Sequence, residues 1–344
     1  MTKIATLNEV AARAGVSVIT ASRALRGTIH VAKATREKVL AAASELNYTP
    51  DVVAQTMRGS QSRLLGVFLL GFRSMVFHEL LVSIEEQAHR RGYELVVVNV
   101  AIYDDGRTTS VEMMLKLCDG IIWLLPSGTH SLMRKLEAGQ MPAVLVNFCA
   151  RPVALPVVSG ANYSGAYDLV NHLIGLGHRR IAFVEGALHT GQSRERQRGY
   201  EQALRDAGLP VDADYIVPGD FLFGGGREGA RTLLALPNRP TAIFCANDEM
   251  ALGAFKAAEE LGLKVPADVS IAGFDDIPAA STVTPPLTTI RQPLDEIGAR
   301  AVDEVLAYIG DRGRSPSRIE LPTRLVVRDS TGKAPQRIRP AKLA

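Results

Sequence analysis

Thr6-Leu7-Asn8-Glu9-Val10-Ala11-Ala12-Arg13-Ala14-Gly15-Val16-Ser17-Val18-Ile19-Thr20-Ala21-Ser22-Arg23 reads as two short capped helices joined by a tight turn. Thr6 with Glu9 three residues later makes a capping box, in which each side chain satisfies an amide that the helix start leaves unpaired. Val10 and Ala11 open an apolar face, and Gly15 stands where the first helix has to stop, because glycine enters the left-handed conformation without steric penalty. Ser17 caps a second helix running to about Leu25. Small Ala11, Ala12 and Ala14 permit a close crossing of the pair, while Ser17, Thr20, Ser22 and Arg23 turn donors outward. A helix-turn-helix that pushes its second helix into DNA is the functional reading; an ordinary helical hairpin is the plainer one.

Outward from this stretch, Thr35–Leu46 carries Val39, Ala43 and Leu46 at helical spacing, a third amphipathic helix that closes a small domain over residues 1–49, with Tyr48 sealing its core. Pro50 then stands near a first helical position and Gly59 just past a last one, which predicts a hinge helix at 50–58. Helices shorter than about 12–15 residues are marginal in water, so this one is expected to order only when something docks on it. Ser60-Gln61-Ser62 completes a hinge and linker over 50–62.

Charge supports the division. Residues 1–60 hold eight of the 39 Lys and Arg against four of the 36 Asp and Glu, and the remainder is close to neutral. A basic head on a neutral body suits a chain whose head alone meets a polyanion.

The 344 residues suit two or three domains, and 47% hydrophobic residues give ample core. No apolar run approaches a membrane span, and Met1-Thr2-Lys3 opens without the apolar stretch of a secretory signal, so the cytoplasm is expected. Cys118, Cys149 and Cys245 are odd in number and set in apolar runs, which predicts buried thiols rather than disulfides or zinc ligands. No G-x-S-x-G or H-E-x-x-H is present, the seven His are scattered, and His172 and His178 bracket a helix end at an expected surface position. Neither an enzyme, nor a metal, nor a cofactor is legible.

From Leu64 onward apolar strands alternate with helices: strands Leu65–Leu70, Glu94–Val100, Gly120–Leu125 and Ala143–Phe148, with helices Glu79–Arg91 and Ser110–Leu117. The pattern restarts with helix Tyr163–Leu176, strand Ile181–Val184, helix Glu195–Ala207, strand Thr241–Cys245, helix Glu249–Leu261 and strand Val269–Phe274. Two doubly wound lobes with parallel sheets are expected, N-lobe about 63–160 plus 292–323 and C-lobe about 161–291 plus 324–330. The crevice at their carboxyl edges is where such folds bind small ligands. Residues 331–344, with Pro335 and Pro340, are expected to be a disordered tail, and the absence of heptads there argues against a tail-mediated tetramer.

The sequence resembles the lactose repressor (LacI/GalR) family of bacterial regulators over nearly its whole length. The family's phrases stand here as Val16-Ser17 with Thr20 and Ser22-Arg23, Leu46-Asn47-Tyr48 with Pro50, Leu176-Gly177-His178-Arg179-Arg180-Ile181-Ala182, and Asn247-Asp248. Val265-Pro266 with Asp268-Val269-Ser270, Gly273-Phe274-Asp275-Asp276, Leu287-Thr288-Thr289-Ile290-Arg291-Gln292-Pro293 and Leu321-Pro322-Thr323 follow in order. The resemblance implies a two-lobed core like that of periplasmic binding proteins behind the helix-turn-helix head and hinge helix.

It also implies roles. Val18, Ile19 and Arg23 would face base edges, Arg23 able to donate twice to guanine and the two apolar residues limited to contacts such as a thymine methyl. Ser17, Thr20 and Ser22 would fix the helix on phosphates, and Thr6 belongs to the same DNA-facing set. In the hinge, Met57 takes the place of the family's Leu as an apolar wedge between base pairs, Arg58 would lie along a groove wall, and Ala54 would let two hinge helices approach. In the crevice the matching positions are Asn147, Arg196, Phe221, Asn247, Asp275 and Gln292, with Phe77 also included. They suit a polyhydroxylated ligand: Asp275 accepts from paired hydroxyls, Arg196 donates in a planar fork, the amides do both, and Phe221 offers a face to a sugar ring. Asp276 is read as structural.

Gly224-Gly225-Gly226-Arg227-Glu228-Gly229 matches G-x-G-x-x-G, but no strand runs into it, so a dinucleotide site is rejected. A helix is expected at Glu228–Leu236, with the glycines as a mobile lip of the crevice. The expectation is a homodimeric DNA-binding regulator, a repressor of carbohydrate-utilisation genes released from a pseudo-palindromic double-stranded operator by a small sugar effector. A corepressor-dependent regulator and a sugar-binding transport protein of the same core fold are the alternatives.

Overall fold

The computed structural model describes residues 5–25, 31–48, 61–69, 74–100, 109–126, 131–139, 141–187 and 191–336. The expected hinge helix, with Ala54, Met57 and Arg58, lies outside them, as do residues 337–344. The chain divides into two units, Met1–Ser62 and Arg63–Ala344.

The first unit holds α1 (Leu7–Ala14), α2 (Val18–Leu25) and α3 (Lys33–Glu45). Both halves of the Thr6–Glu9 capping box form, and Gly15 ends α1 at φ 66°. Ser17 Oγ accepts from Thr20 N at 3.1 Å and so caps α2. Val10, Ala11, Ala21, Ala24, Val39, Ala42 and Ala43 make the core, with Tyr48 packed against it. The alanines let the three helices sit close together, which leaves little room for larger side chains.

In the second unit the N-lobe is built from β1 (Leu64–Leu69), α4 (Met75–Arg90), β2 (Glu94–Asn99), α5 (Thr109–Leu117), β3 (Gly120–Leu124), α6 (Ser131–Glu137), β4 (Ala143–Val146) and β5 (Val157–Gly160). The C-lobe follows with α7 (Asn162–Gly175), β6 (Ile181–Val184), α8 (Gln192–Asp206), β7 (Ile216–Val217), α9 (Phe223–Leu234), β8 (Ala242–Cys245), α10 (Asp248–Glu260), β9 (Ser270–Ala272) and α11 (Pro278–Thr282). The chain ends in β10 (Thr289–Arg291), α12 (Leu294–Gly310), β11 (Arg318–Leu321) and β12 (Arg324–Val326). One sheet has six parallel strands in the order β11-β5-β4-β3-β1-β2, and the other four in the order β7-β6-β8-β9. Inner strands such as β3, β4, β6 and β8 are buried along their whole length, as parallel strands covered by helices on both faces must be. A third, two-stranded antiparallel sheet pairs Thr289 with Val326 and Ile290 with Leu325.

The chain passes between the lobes after β5, before α12 and after β11, and the three passages lie side by side. Ala161 N donates to Leu321 O at 2.9 Å, and Thr323 Oγ1 donates to Ala161 O at 3.2 Å.

Three expectations are corrected. The glycine run is no mobile lip: α9 starts at Phe223, so Gly224–Gly226 form its first turns. A Cβ on Gly226 would meet Met250 O at 2.2 Å, and one on Gly253 would meet Phe223 O at 2.1 Å, so the glycines serve a close helix crossing between α9 and α10. His178 is not at the surface but fully buried, with Nδ1 2.9 Å from Thr241 Oγ1 and Nε2 3.1 Å from Ser270 Oγ. Residues 331–336 of the expected tail are docked: Gly332 N donates to Ser270 Oγ at 3.1 Å and Ala334 N to Leu176 O at 3.0 Å.

Candidate functional site

On the head, Val18 and Ile19, in the first turn of α2, are 41% and 67% exposed. Thr6, Ser17 and Arg23 are also exposed, and Thr20 and Ser22 partly so. Ser17 Oγ and Thr20 Oγ1 lie 2.8 Å apart, so the cap also fixes both hydroxyls.

In the core, the crevice side chains gather around Arg196, which α8 carries into the interior. Its Nε donates to Asn162 Oδ1 at 2.9 Å, Nη1 donates to Ala246 O, and Nη2 reaches Asp275 Oδ1 at 3.4 Å. The guanidinium lies over the Phe274 ring, 3.8 Å from its centroid, and 5.9 Å from that of Phe221. A planar cation stacked on one ring and tied at its edges has one orientation left. Gln292, at the passage into the N-lobe, donates from Nε2 to Asp275 Oδ1 at 2.7 Å, and its buried Oε1 has no partner. That oxygen lies 2.6 Å from where a Cβ on Gly160 would stand.

Asn247 works from its backbone position. It is the N-cap of α10, its Oδ1 accepting from Met250 N at 3.0 Å, while Nδ2 donates to Phe221 O at 2.9 Å. Phe221, at φ 66°, lays its ring where a Cβ on Gly186 would come within 2.2 Å of it. Asn147 follows β4 at φ 55°, accepts from Gly160 N at 3.1 Å through Oδ1, and offers its carbonyl to Gln192 Nε2 at 2.7 Å from the other lobe. Phe77 stands apart from this group: 8% exposed, it belongs to the N-lobe core with Leu80, Ile84 and Ile277. Asp276 is held between Arg291 Nε at 2.5 Å and Arg328 Nη2 at 2.7 Å, which accounts for it as structural.

Sequence reasoning missed Asn162, Gln192, Phe274 and two acids. Asp248 is fully buried beside the cluster, with Thr289 Oγ1 2.6 Å from Oδ1 and Ile277 N donating to Oδ2 at 2.9 Å. Burial, and then the charge of Asp275, push its carboxyl up to about 8, whereas Asp275 is raised by burial but pulled back by Arg196 and Gln292. Of the two acids, Asp275 is the one whose charged form Arg196 and Gln292 favour. Arg196 in turn is lowered by burial, which Asp275 opposes. Glu249, half-buried, accepts from Met75 N at 2.6 Å across the crevice, and burial raises its pKa. The Asn247-Asp248 pair was visible as a phrase, but nothing in the sequence marks Glu249.

A buried fork of donors, a carboxylate and an aromatic face are groups whose chemistry complements hydroxyls. Among the described residues no three His, Cys, Asp or Glu could hold a metal ion, and no helix is long and apolar enough to cross a membrane.

The profile of bacterial regulatory proteins, lacI family, matches residues 6–51, and that of periplasmic binding protein-like domains matches residues 170–331. The HTH-type transcriptional repressor CytR of Escherichia coli (strain K12) is 37% identical over 333 residues, 96% of this chain and 97% of that protein. This chain belongs to the LacI family of bacterial regulatory proteins. The HTH-type transcriptional repressor PurR of Vibrio vulnificus (strain CMCP6) is 32% identical to this LacI-family chain over 332 residues, 96% of it and 99% of the relative. Among solved structures, the lac repressor dimer bound to operator and the anti-inducer ONPF superposes with a TM-score of 0.83 at 32% identity, covering 96% of this chain and all of that one. The complex of the regulator CelR with cellobiose superposes at 0.74 with 28% identity, covering 95% and 99%. The LacI-family chain is thus a helix-turn-helix transcriptional repressor with a two-lobed α/β core.

Proposed function

We propose that this repressor binds a pseudo-palindromic operator as a homodimer in the cytoplasm, performs no catalysis, and releases DNA when a small sugar or sugar derivative enters the crevice. The observation that carries the effector reading is the cluster of Arg196, Asp275 and Gln292, a buried donor fork, a charged acceptor and an unpartnered acceptor, with the Phe221 ring 5.9 Å from the guanidinium. Sugar hydroxyls can donate and accept at once, which matches such a set. The cellobiose-bound relative supports the ligand class.

On DNA, Val18, Ile19 and Arg23 read base edges, Ser17, Thr20 and Ser22 hold phosphates, and Thr6 sits at the start of the first helix beside them. Met57 wedges into the minor groove, with Arg58 along its wall and Ala54 at the approach of two hinge helices. Dimerisation is supported by the apolar groove of Phe223, Leu252, Phe255 and Val283 on the C-lobe, and by the dimeric lac repressor relative.

A gel shift of the full chain and of residues 61–344 on DNA from upstream of its own gene tests the head, and a thermal-shift panel of sugars tests the crevice. The full chain alone should retard DNA, and a stabilising sugar should release it. Equal retardation by both proteins overturns the DNA reading; a sugar that tightens DNA binding reverses the sign to corepression.

A further inference from the structure

The first amides of an α-helix have no intrahelical partner, and a carboxylate is a strong acceptor for them. At the start of α4 the N-cap residue Ser74 makes no capping bond to its own helix. The acceptor comes from the other lobe: Glu249 Oε1, in the first turn of α10, takes the Met75 N–H at 2.6 Å across 174 positions of chain, and the Ser74 hydroxyl bonds to the same carboxylate. Asn247, Asp248 and Glu249 thus divide one helix start into three tasks, holding Phe221, facing Asp275 and reaching the opposite lobe. Gln192 and Asn147 make a second cross-lobe bond at 2.7 Å.

We propose that Glu249 is a positioning residue that clasps the lobes together before any effector enters. The clasp sets how far the crevice stands open in the empty protein, and so how much of the effector's binding free energy goes into closing it. This consequence rests on the crevice being the effector site. The rival is a local role, in which Glu249 only places negative charge at the start of its own helix α10.

Hydrogen exchange on the full chain without effector separates the two. Glu249→Ala removes the acceptor. Met75→Pro removes the donor at a first helical position, where proline is favoured, and Ser74, at φ −90° and ψ 133°, already has the extended conformation that precedes proline. Loss of the Met75 bond between the lobes should speed exchange about tenfold at the remote cross-lobe residues 147–149 and 192–196 in Met75→Pro, and at least as much in Glu249→Ala, with β6 and β8 unchanged. The double variant should match Glu249→Ala, because Met75→Pro deletes one of the two bonds that Glu249→Ala removes. Changes confined to residues 75–78, or additive effects in the double variant, overturn the clasp. Should Glu249→Ala fail to fold, Met75→Pro decides alone. The measurement uses no sugar, so failure of the clasp leaves the effector reading to be judged by the thermal-shift panel.

Discussion

Arg196 Nη2 and Asp275 Oδ1 stand 3.4 Å apart with their side chains only 2% and 5% exposed, a charge pair withdrawn from water in the middle of the crevice. Two buried charges of opposite sign tolerate each other, but neither tolerates being left alone. Asp275→Ala should therefore cost about 3–5 kcal/mol of stability at neutral pH, read from urea denaturation, because the guanidinium loses its counter-charge. Asp275→Asn keeps an acceptor for Gln292 and should cost less. Both should remain on operator DNA in the presence of sugar. A fully inducible variant would move the ligand elsewhere.

The neighbouring acid predicts a pH dependence. An unfolded aspartate titrates near ~3.9, whereas Asp248 is pushed up to about 8 and Asp275 to about 6. Across that window the folded chain holds protons that the unfolded chain has released, so these acids make stability fall as pH rises from about 4 to 8. Asp248→Asn should flatten the dependence between pH 6 and 8 in chemical denaturation. An unchanged slope would place the titration on another group.

The glycine run of α9 predicts opposite signs two residues apart. Gly224 has open space where a Cβ would go, so Gly224→Ala should stabilise by about 0.5–1 kcal/mol through helix propensity alone. Gly226→Ala would drive its methyl into the Met250 backbone and should destabilise by about 1–3 kcal/mol despite the same propensity gain. Thermal melts of the two variants check this directly.

In the head, stability and recognition are separable. Thr6→Ala removes half of the capping box and should cost about 0.5–2 kcal/mol. On the proposed base-reading role, Arg23→Ala should weaken operator binding by about 1–3 kcal/mol while changing the melt little, since Arg23 is exposed. Anisotropy titrations on operator and scrambled DNA distinguish this from a loss of general phosphate affinity.

Binding linkage supplies a further check. If sugar weakens operator binding by some factor, operator must weaken sugar binding by the same factor, measurable by calorimetry with and without DNA. Equal sugar affinities in the two titrations would remove the coupling.

Legibility followed the range of the forces involved. The caps at Thr6 and Ser17 and the stop at Gly15 were readable because each bond spans three or four residues. The strand Ile181–Val184 was readable because a fully buried strand is a continuous apolar run. Helices α4 and α8 begin three or four residues earlier than their periodicity suggests, at Met75 and Gln192; at α4 the distant Glu249 satisfies the helix start. The run Gly224–Gly226 looked like a breaker because glycine's low propensity is local, whereas the gain at Gly226, close contact with Met250, lies in another helix. The short α6 and β5 escaped because four to seven residues carry too little periodicity to declare a type.

By itself the sequence determined the three helices of the head, the alternation that makes two parallel sheets, and the residue types available to a crevice. Only the tertiary structure decided what those residues do. It turned Arg196 onto Phe274, buried Asp248 beside Asp275, committed Asn247 to a helix cap, and brought Glu249 to a helix 174 positions away. The physical reason is that helix caps and hydrophobic period are settled between near neighbours, while burial, and with it every charge and hydrogen bond that burial strengthens, exists only once distant segments have packed.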